Sequence, residues 1–110
     1  MIDWTRISEL RDEIGADDFT EVVELFLIEV EDEIEKLRAS DTPESIESEL
    51  HFLKGSALNL GFKTFSELCQ AGETAASQNH VDTIDIGQII QCYEASKSMF
   101  LSGLDTQLSA

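Results

Sequence analysis

Along nearly the whole chain, apolar residues return at intervals of three and four, and no stretch sustains the every-other-residue alternation of a half-buried strand. That period dictates helices with one apolar face, and such faces are buried by packing helix on helix. Five segments carry it. The first runs from about Asp3 to Ile14, with Trp4, Ile7, Leu10 and Ile14 on one side and Gly15 closing it. The second spans about Asp18 to Arg38, with Phe19, Val22, Val23, Phe26, Val30, Ile34 and Leu37 as its stripe. Asp18 and Glu21 have the spacing of a capping box, and Lys36 and Arg38 suit the negative end of the helix dipole.

Thr42-Pro43 opens the third segment, a hydroxyl able to cap followed by proline at the first helical position. It runs from about 43 to 60 on Ile46, Leu50, Leu53, Ala57 and Leu60, and Gly61 bends or ends its path. The fourth, about 62–77, buries Phe65, Leu68, Cys69, Gly72 and Ala76; "SQNHVDT" then reads as a loop holding a solvated His80. The fifth, about 85–104, carries Ile86, Ile89, Ile90, Tyr93, Phe100 and Leu104. Four long amphipathic helices with short connections predict an all-α fold. The expected form is an antiparallel up-and-down four-helix bundle with a short additional N-terminal helix, one domain over residues 1–110.

The formal net charge of −16 excludes whole classes of partner, because such a surface repels phosphate backbones and argues against nucleic-acid binding. The acids are unevenly placed: residues 1–49 hold 17 of the 23. Within them, "EVEDEIEKLR" reads as a solvated helix face. No apolar run approaches a membrane span, and "MIDWTRISEL" is neither basic nor apolar enough for a signal peptide, so a cytoplasmic protein is expected. Cys69 and Cys92 lie in helical patterns, without CxxC or Cys/His spacing, and read as small buried hydrophobes rather than zinc ligands.

The third helix contains an anomaly. Gly55 stands in the middle of "HFLKGSALNLGF", residues 51–62, where glycine costs about 1 kcal/mol relative to alanine. On a helical wheel with Ile46 at zero, the stripe lies within about 40° of zero. His51 falls at about 140°, with Lys54 at about 80°, Glu47 at about 100°, Leu58 at about 120° and Gly55 at about 180°. His51 is therefore expected to be exposed. Helical side chains lean toward the N-terminus, so a residue at position 55 would lean over the imidazole. Glycine leaves the ring uncovered for a macromolecular partner, and Leu58 offers an apolar contact beyond the gap. A neutral imidazole, with its unperturbed pKa of about 6.5, is a nucleophile near neutral pH. If it accepts a phosphoryl group, Lys54 can offset the added charge.

The same residues resemble the signature of histidine-containing phosphotransfer (HPt) domains, roughly His-x-Leu-Lys-Gly-small-small-x-x-x-Gly. The match takes in His51, Leu53, Lys54, Gly55, Ser56, Ala57 and Gly61 without a gap. Ala57 replaces a frequent serine. The resemblance implies a bundle whose exposed histidine, His51, is phosphorylated at Nε2. It would carry phosphoryl groups between a histidine kinase, or a kinase's receiver domain, and a response-regulator receiver aspartate. Lys54 would neutralise charge and Gly55 would keep access open. Twenty-two residues on, Glu73 occupies the position of a polar residue that binds Nδ1, in the form typical of chemotaxis-kinase phosphotransfer domains. A carboxylate there would fix the tautomer with Nε2 free.

Ser56, Leu58, Phe19 and Val22 are candidate partner contacts, and Lys63 a source of positive potential. No cofactor is expected, Mg²⁺ belonging to the receiver, and no nucleotide-binding signature is present, so the chain is expected to be a phosphocarrier rather than an enzyme. A closed bundle with an exposed site works as a monomer. Two other readings compete: a docking module that regulates a kinase without transfer, and the N-terminal phosphotransfer domain of a larger chemotaxis-type kinase. An initial methionine and a short tail after the last helix suit a stand-alone protein or an excised domain equally.

Overall fold

The structure is a computed structural model that describes residues 2–108, with side chains through residue 104. It is helical throughout: α1 Trp4–Ile14, α2 Ala16–Ala39, α3 Pro43–Leu60, α4 Lys63–Ser77 and α5 Ile86–Leu108, with a 3₁₀ turn at Val81–Thr83. The molecule is elongated, 46 × 20 × 18 Å. α2 packs on α3, α3 on α4, α4 on α5 and α5 back on α2, and the α3–α4 seam is by far the most extensive.

Local chemistry explains most of the helix ends. Asp3 caps α1, its carboxylate accepting from the Arg6 N–H at 3.2 Å. Thr42 caps α3, its hydroxyl accepting from the Ser45 N–H at 3.2 Å, and Pro43 follows it. Gly61 ends α3 in the left-handed region at φ 73°, where its N–H and that of Phe62 return to carbonyls of the last turn. A Cβ there would also sit 2.6 Å from the Asp3 carbonyl oxygen, so glycine is required twice over.

α2 starts earlier than the capping-box spacing implied. Gly15, at φ 100°, closes α1 and serves as the N-cap of α2, leaving Asp18 inside the first turn rather than capping it. The fifth helix runs past residue 104 to Leu108, because nothing in "DTQL" breaks it.

The core joins all five helices. The α3 stripe of Ile46, Leu50, Leu53, Ala57 and Leu60 is wholly buried, as are Val23, Val30, Ile34 and Leu37 of α2. Leu27, outside the stripe read from the sequence, is buried too, whereas Val22 and Phe26 are half-buried. Phe62, Phe65, Tyr93 and Phe100 make an aromatic centre, Phe62 lying edge-on to Phe100 at 5.4 Å. α1 lies over one end, where Trp4 stacks on Phe100 at 6.1 Å and the Asp3 N–H reaches the Gly61 carbonyl at 2.7 Å.

Candidate functional site

His51 lies mid-way along α3 on the side away from the buried stripe. Its side chain is 71% exposed, whereas its partner Glu73 on α4 is 13% exposed. The imidazole Nδ1 stands 2.9 Å and 3.2 Å from the two carboxylate oxygens of Glu73. Lys54, one turn along α3, donates from Nζ to Glu73 at 3.1 Å and to the Gln70 side-chain carbonyl at 3.0 Å. Gln70 in turn donates to the Thr74 hydroxyl at 3.1 Å. As α3 advances from 51 to 54 its partners on α4 retreat from 73 to 70, so these two helices run antiparallel and the rigid seam between them aligns the set.

Burial works to raise the Glu73 pKa, but hydrogen bonds from His51 and Lys54 outweigh it and hold the carboxyl below its ordinary value. At neutral pH Glu73 is therefore an anion, which only accepts hydrogen bonds. The proton of a neutral imidazole then resides on Nδ1, and the Nε2 lone pair is left toward solvent. The arrangement is a nucleophilic nitrogen, oriented from behind by a carboxylate that a lysine also holds.

Gly55 differs from the other five glycines. Gly15 and Gly61 have positive φ, while Gly61, Gly72, Gly87 and Gly103 all have neighbours where a Cβ would go. Gly55 has a helical backbone and nothing within 4 Å of a Cβ. Nothing inside the molecule requires it.

Two hollows lie along the α3–α4 seam, one of them bordering the imidazole. One, about 360 Å³, is lined by Glu44, Glu47, Ser48, His51 and Glu73. The other, about 410 Å³ and mainly apolar, is formed by Lys54, Leu58, Ser66, Glu67, Gln70 and Ala71. Leu58 is 56% exposed there.

The remaining candidates separate. Ser56 and Val22 are half-buried. Phe19 is a correction: only 6% exposed, it is a core residue and presents no face to a partner. Lys63 opens α4 ten residues before Glu73, about 15 Å along the helix axis, and takes no part in the network. Cys69 is buried, and burial pushes its thiol up to about 12, with Cys92 and Glu73 adding to the rise; it stays protonated. Among the described residues no group of three His, Cys, Asp or Glu is placed to hold a metal ion.

Gln70 and Thr74 escaped the reading of the sequence. Gln70 stands one turn before Glu73 on the same face, which was the available signal. Glu31 also needs correcting, since it lies in the stretch read as a solvated face. It accepts from the Tyr93 hydroxyl at 2.8 Å and from Lys97 at 2.6 Å across the α2–α5 seam.

An all-helical bundle thus presents an exposed histidine, His51, backed by a carboxylate and a lysine from paired helices. The family model of the Hpt domain matches residues 21–99, most of the chain, and the chain belongs to that family. No curated protein and no solved structure gives a significant match. Hpt domains serve histidine phosphotransfer in two-component signalling, interact with kinases and receiver domains, and are in general phosphocarriers rather than enzymes. No helix among the described residues is long and apolar enough to cross a membrane.

Proposed function

We propose that this chain accepts a phosphoryl group on Nε2 of His51 and passes it to, or takes it from, the aspartate of a response-regulator receiver domain. A histidine kinase or a kinase's own receiver is the donor. The observation that carries this reading is the pairing of Nδ1 with Glu73 at 2.9 Å beneath an imidazole that is 71% exposed. In the forward step the Nε2 lone pair attacks phosphorus, the bond from phosphorus to the donor breaks, and the donor leaves with its electron pair. The proton on Nδ1 stays there, and Glu73 stabilises the cationic ring that results.

Lys54 offsets phosphoryl charge, and Gly55 gives the incoming aspartate room to approach. Leu58 supplies an apolar contact at the rim, with Ser56 and Val22 at the edge of the contact area. The bundle is read as up-and-down and antiparallel throughout, acting as a cytoplasmic monomer. Any Mg²⁺ used in transfer resides on the receiver. The carboxylate at position 73, where relay proteins often carry glutamine, favours a chemotaxis-kinase-like variant of the site.

The test is a phosphotransfer profile, in which the chain is offered to candidate kinases and receivers and read at short times. Acid-labile, base-stable label is expected on the wild type and none on His51→Gln. Equal labelling of His51→Gln would refute the assignment. Stable partner binding with no labelling of the wild type by any donor would favour a docking module instead.

A further inference from the structure

The hollow beside His51 has an electrostatic asymmetry. Glu47 is one turn before His51 on α3, and residues four apart on a helix have Cβ atoms about 5–6 Å apart. Glu44 stands a further turn back, and both line the same hollow as His51 and Glu73. Among the described residues neither the Glu44 nor the Glu47 carboxylate has a hydrogen-bond or ion-pair partner. The nearby cation, Lys54, is on the opposite flank of the ring and is already held by Glu73 and Gln70. Uncompensated negative charge therefore lies on one side of the imidazole. Glu73 is distinct from it, because its charge is matched by Lys54.

We propose that Glu47, reinforced by Glu44, sets the phosphoryl-transfer equilibrium of His51 toward release, making this site a ready donor rather than a store. The inference rests on His51 being the phosphoryl acceptor. A phosphoryl group brings about −1.5 to −2 charges near neutral pH. Even with a positive charge on the ring, phosphorylation makes the imidazole side of the hollow net more negative. Glu44 and Glu47 raise the energy of that state and leave the free histidine almost untouched. In release, the Nε2–P bond breaks with its electron pair returning to Nε2. A bond from phosphorus to an oxygen of the acceptor's carboxylate forms, and the Nδ1 proton remains facing Glu73. The two glutamates contact neither breaking nor forming bond; they bias the balance through their field.

The equilibrium can be read without a partner by using phosphoramidate as donor. There the P–N bond of phosphoramidate breaks, the Nε2–P bond forms, and the nitrogen departs as ammonia with a proton. The fraction of phosphohistidine at a fixed ratio of phosphoramidate to ammonia, followed by ³¹P NMR, gives the equilibrium constant. At low ionic strength Glu47→Gln should raise it about twofold, and Glu44→Gln with Glu47→Gln about fourfold, for a net change of about one charge roughly 8 Å or more away in a water-like medium. The gap should narrow at 1 M salt, where the screening length is about 3 Å. Glu47→Asp, which keeps the charge, and Glu9→Gln on α1 should both stay near the wild type. A merely structural role for Glu47 would not produce a salt-dependent shift that aspartate abolishes. If His51 takes up phosphoryl normally and Glu47→Gln leaves the equilibrium unchanged at low salt, this inference fails and the assignment of His51 stands. If wild-type His51 takes up none, both fall.

Discussion

Two seams of the bundle are built around a glutamate that accepts hydrogen bonds from two neighbours. On the α3–α4 seam Glu73 holds His51 and Lys54; on the α2–α5 seam Glu31 holds Tyr93 and Lys97. Both carboxyls are held below their ordinary pKa. For Glu31 the Lys97 hydrogen bond is the largest cause, whereas for Glu73 the bonds from His51 and Lys54 have to overcome burial. The difference lies in the group each one holds. Tyr93 is 3% exposed, its ring packed against Phe62 and Phe65, and burial pushes its phenol pKa well above the ordinary value. His51 is turned outward with a free ring nitrogen. The same chemical device ties down a core side chain on one seam and orients an exposed imidazole on the other.

The comparison breaks most decisively at Glu73. Glu73→Ala should slow phosphorylation of His51 by about tenfold or more, since the ring loses the acceptor that fixes its tautomer. Glu73→Gln, which keeps an acceptor oxygen, should lose less. On the other seam, Tyr93→Phe should cost about 1 kcal/mol of stability, the net worth of one hydrogen bond, and leave phosphorylation within about twofold. Denaturant titration beside a labelling assay separates the two outcomes. A strong labelling defect in Tyr93→Phe would erase the distinction between the seams.

Acid should weaken both seams in the same direction. Each carboxyl has a lowered pKa in the folded state, so its contribution is fully present above the unfolded carboxylate value and is lost as pH falls through the folded one. Stability of Glu31→Gln and Glu73→Gln should accordingly fall less steeply on acidification than that of the wild type, as followed by thermal melts between neutral and strongly acid pH. A smaller effect is expected at Gly55. Gly55→Ala meets no neighbour and should stabilise α3 by up to about 1 kcal/mol, while slowing transfer to a receiver and leaving the phosphoramidate reaction nearly unchanged. Unaltered transfer would remove the case for clearance.

How much of this was legible beforehand depended on whether a feature is local. The bounds of α3 are set within a few residues, by Thr42, Pro43 and Gly61, and the off-stripe position of His51 follows from a single wheel. The start of α2 was misread because one glycine serves two helices, which no capping pattern reveals. The Glu31–Tyr93–Lys97 set was missed for a different reason. Its members are 62 and 66 residues apart, and only the packing of α5 on α2 brings them together. Phe19 is buried as its place in the stripe implied; its candidacy as a partner contact came from the family resemblance. The Lys54–Gln70 bond depends on the α3–α4 register in the same way, whereas Gln70 meets Thr74 four residues along α4. Only the pairing of positions 51 and 73 came forward across that seam, and it came from family resemblance rather than from periodicity.

The central claim is that Glu73 holds the Nδ1 proton and leaves Nε2 of His51 as the reacting atom. It is tested most directly by NMR of the phosphorylated protein with ¹⁵N-labelled histidine. ³¹P–¹⁵N coupling to Nε2 of His51 and a protonated Nδ1 are expected. Coupling to Nδ1, or a phosphoryl group found on His80 instead, would contradict it.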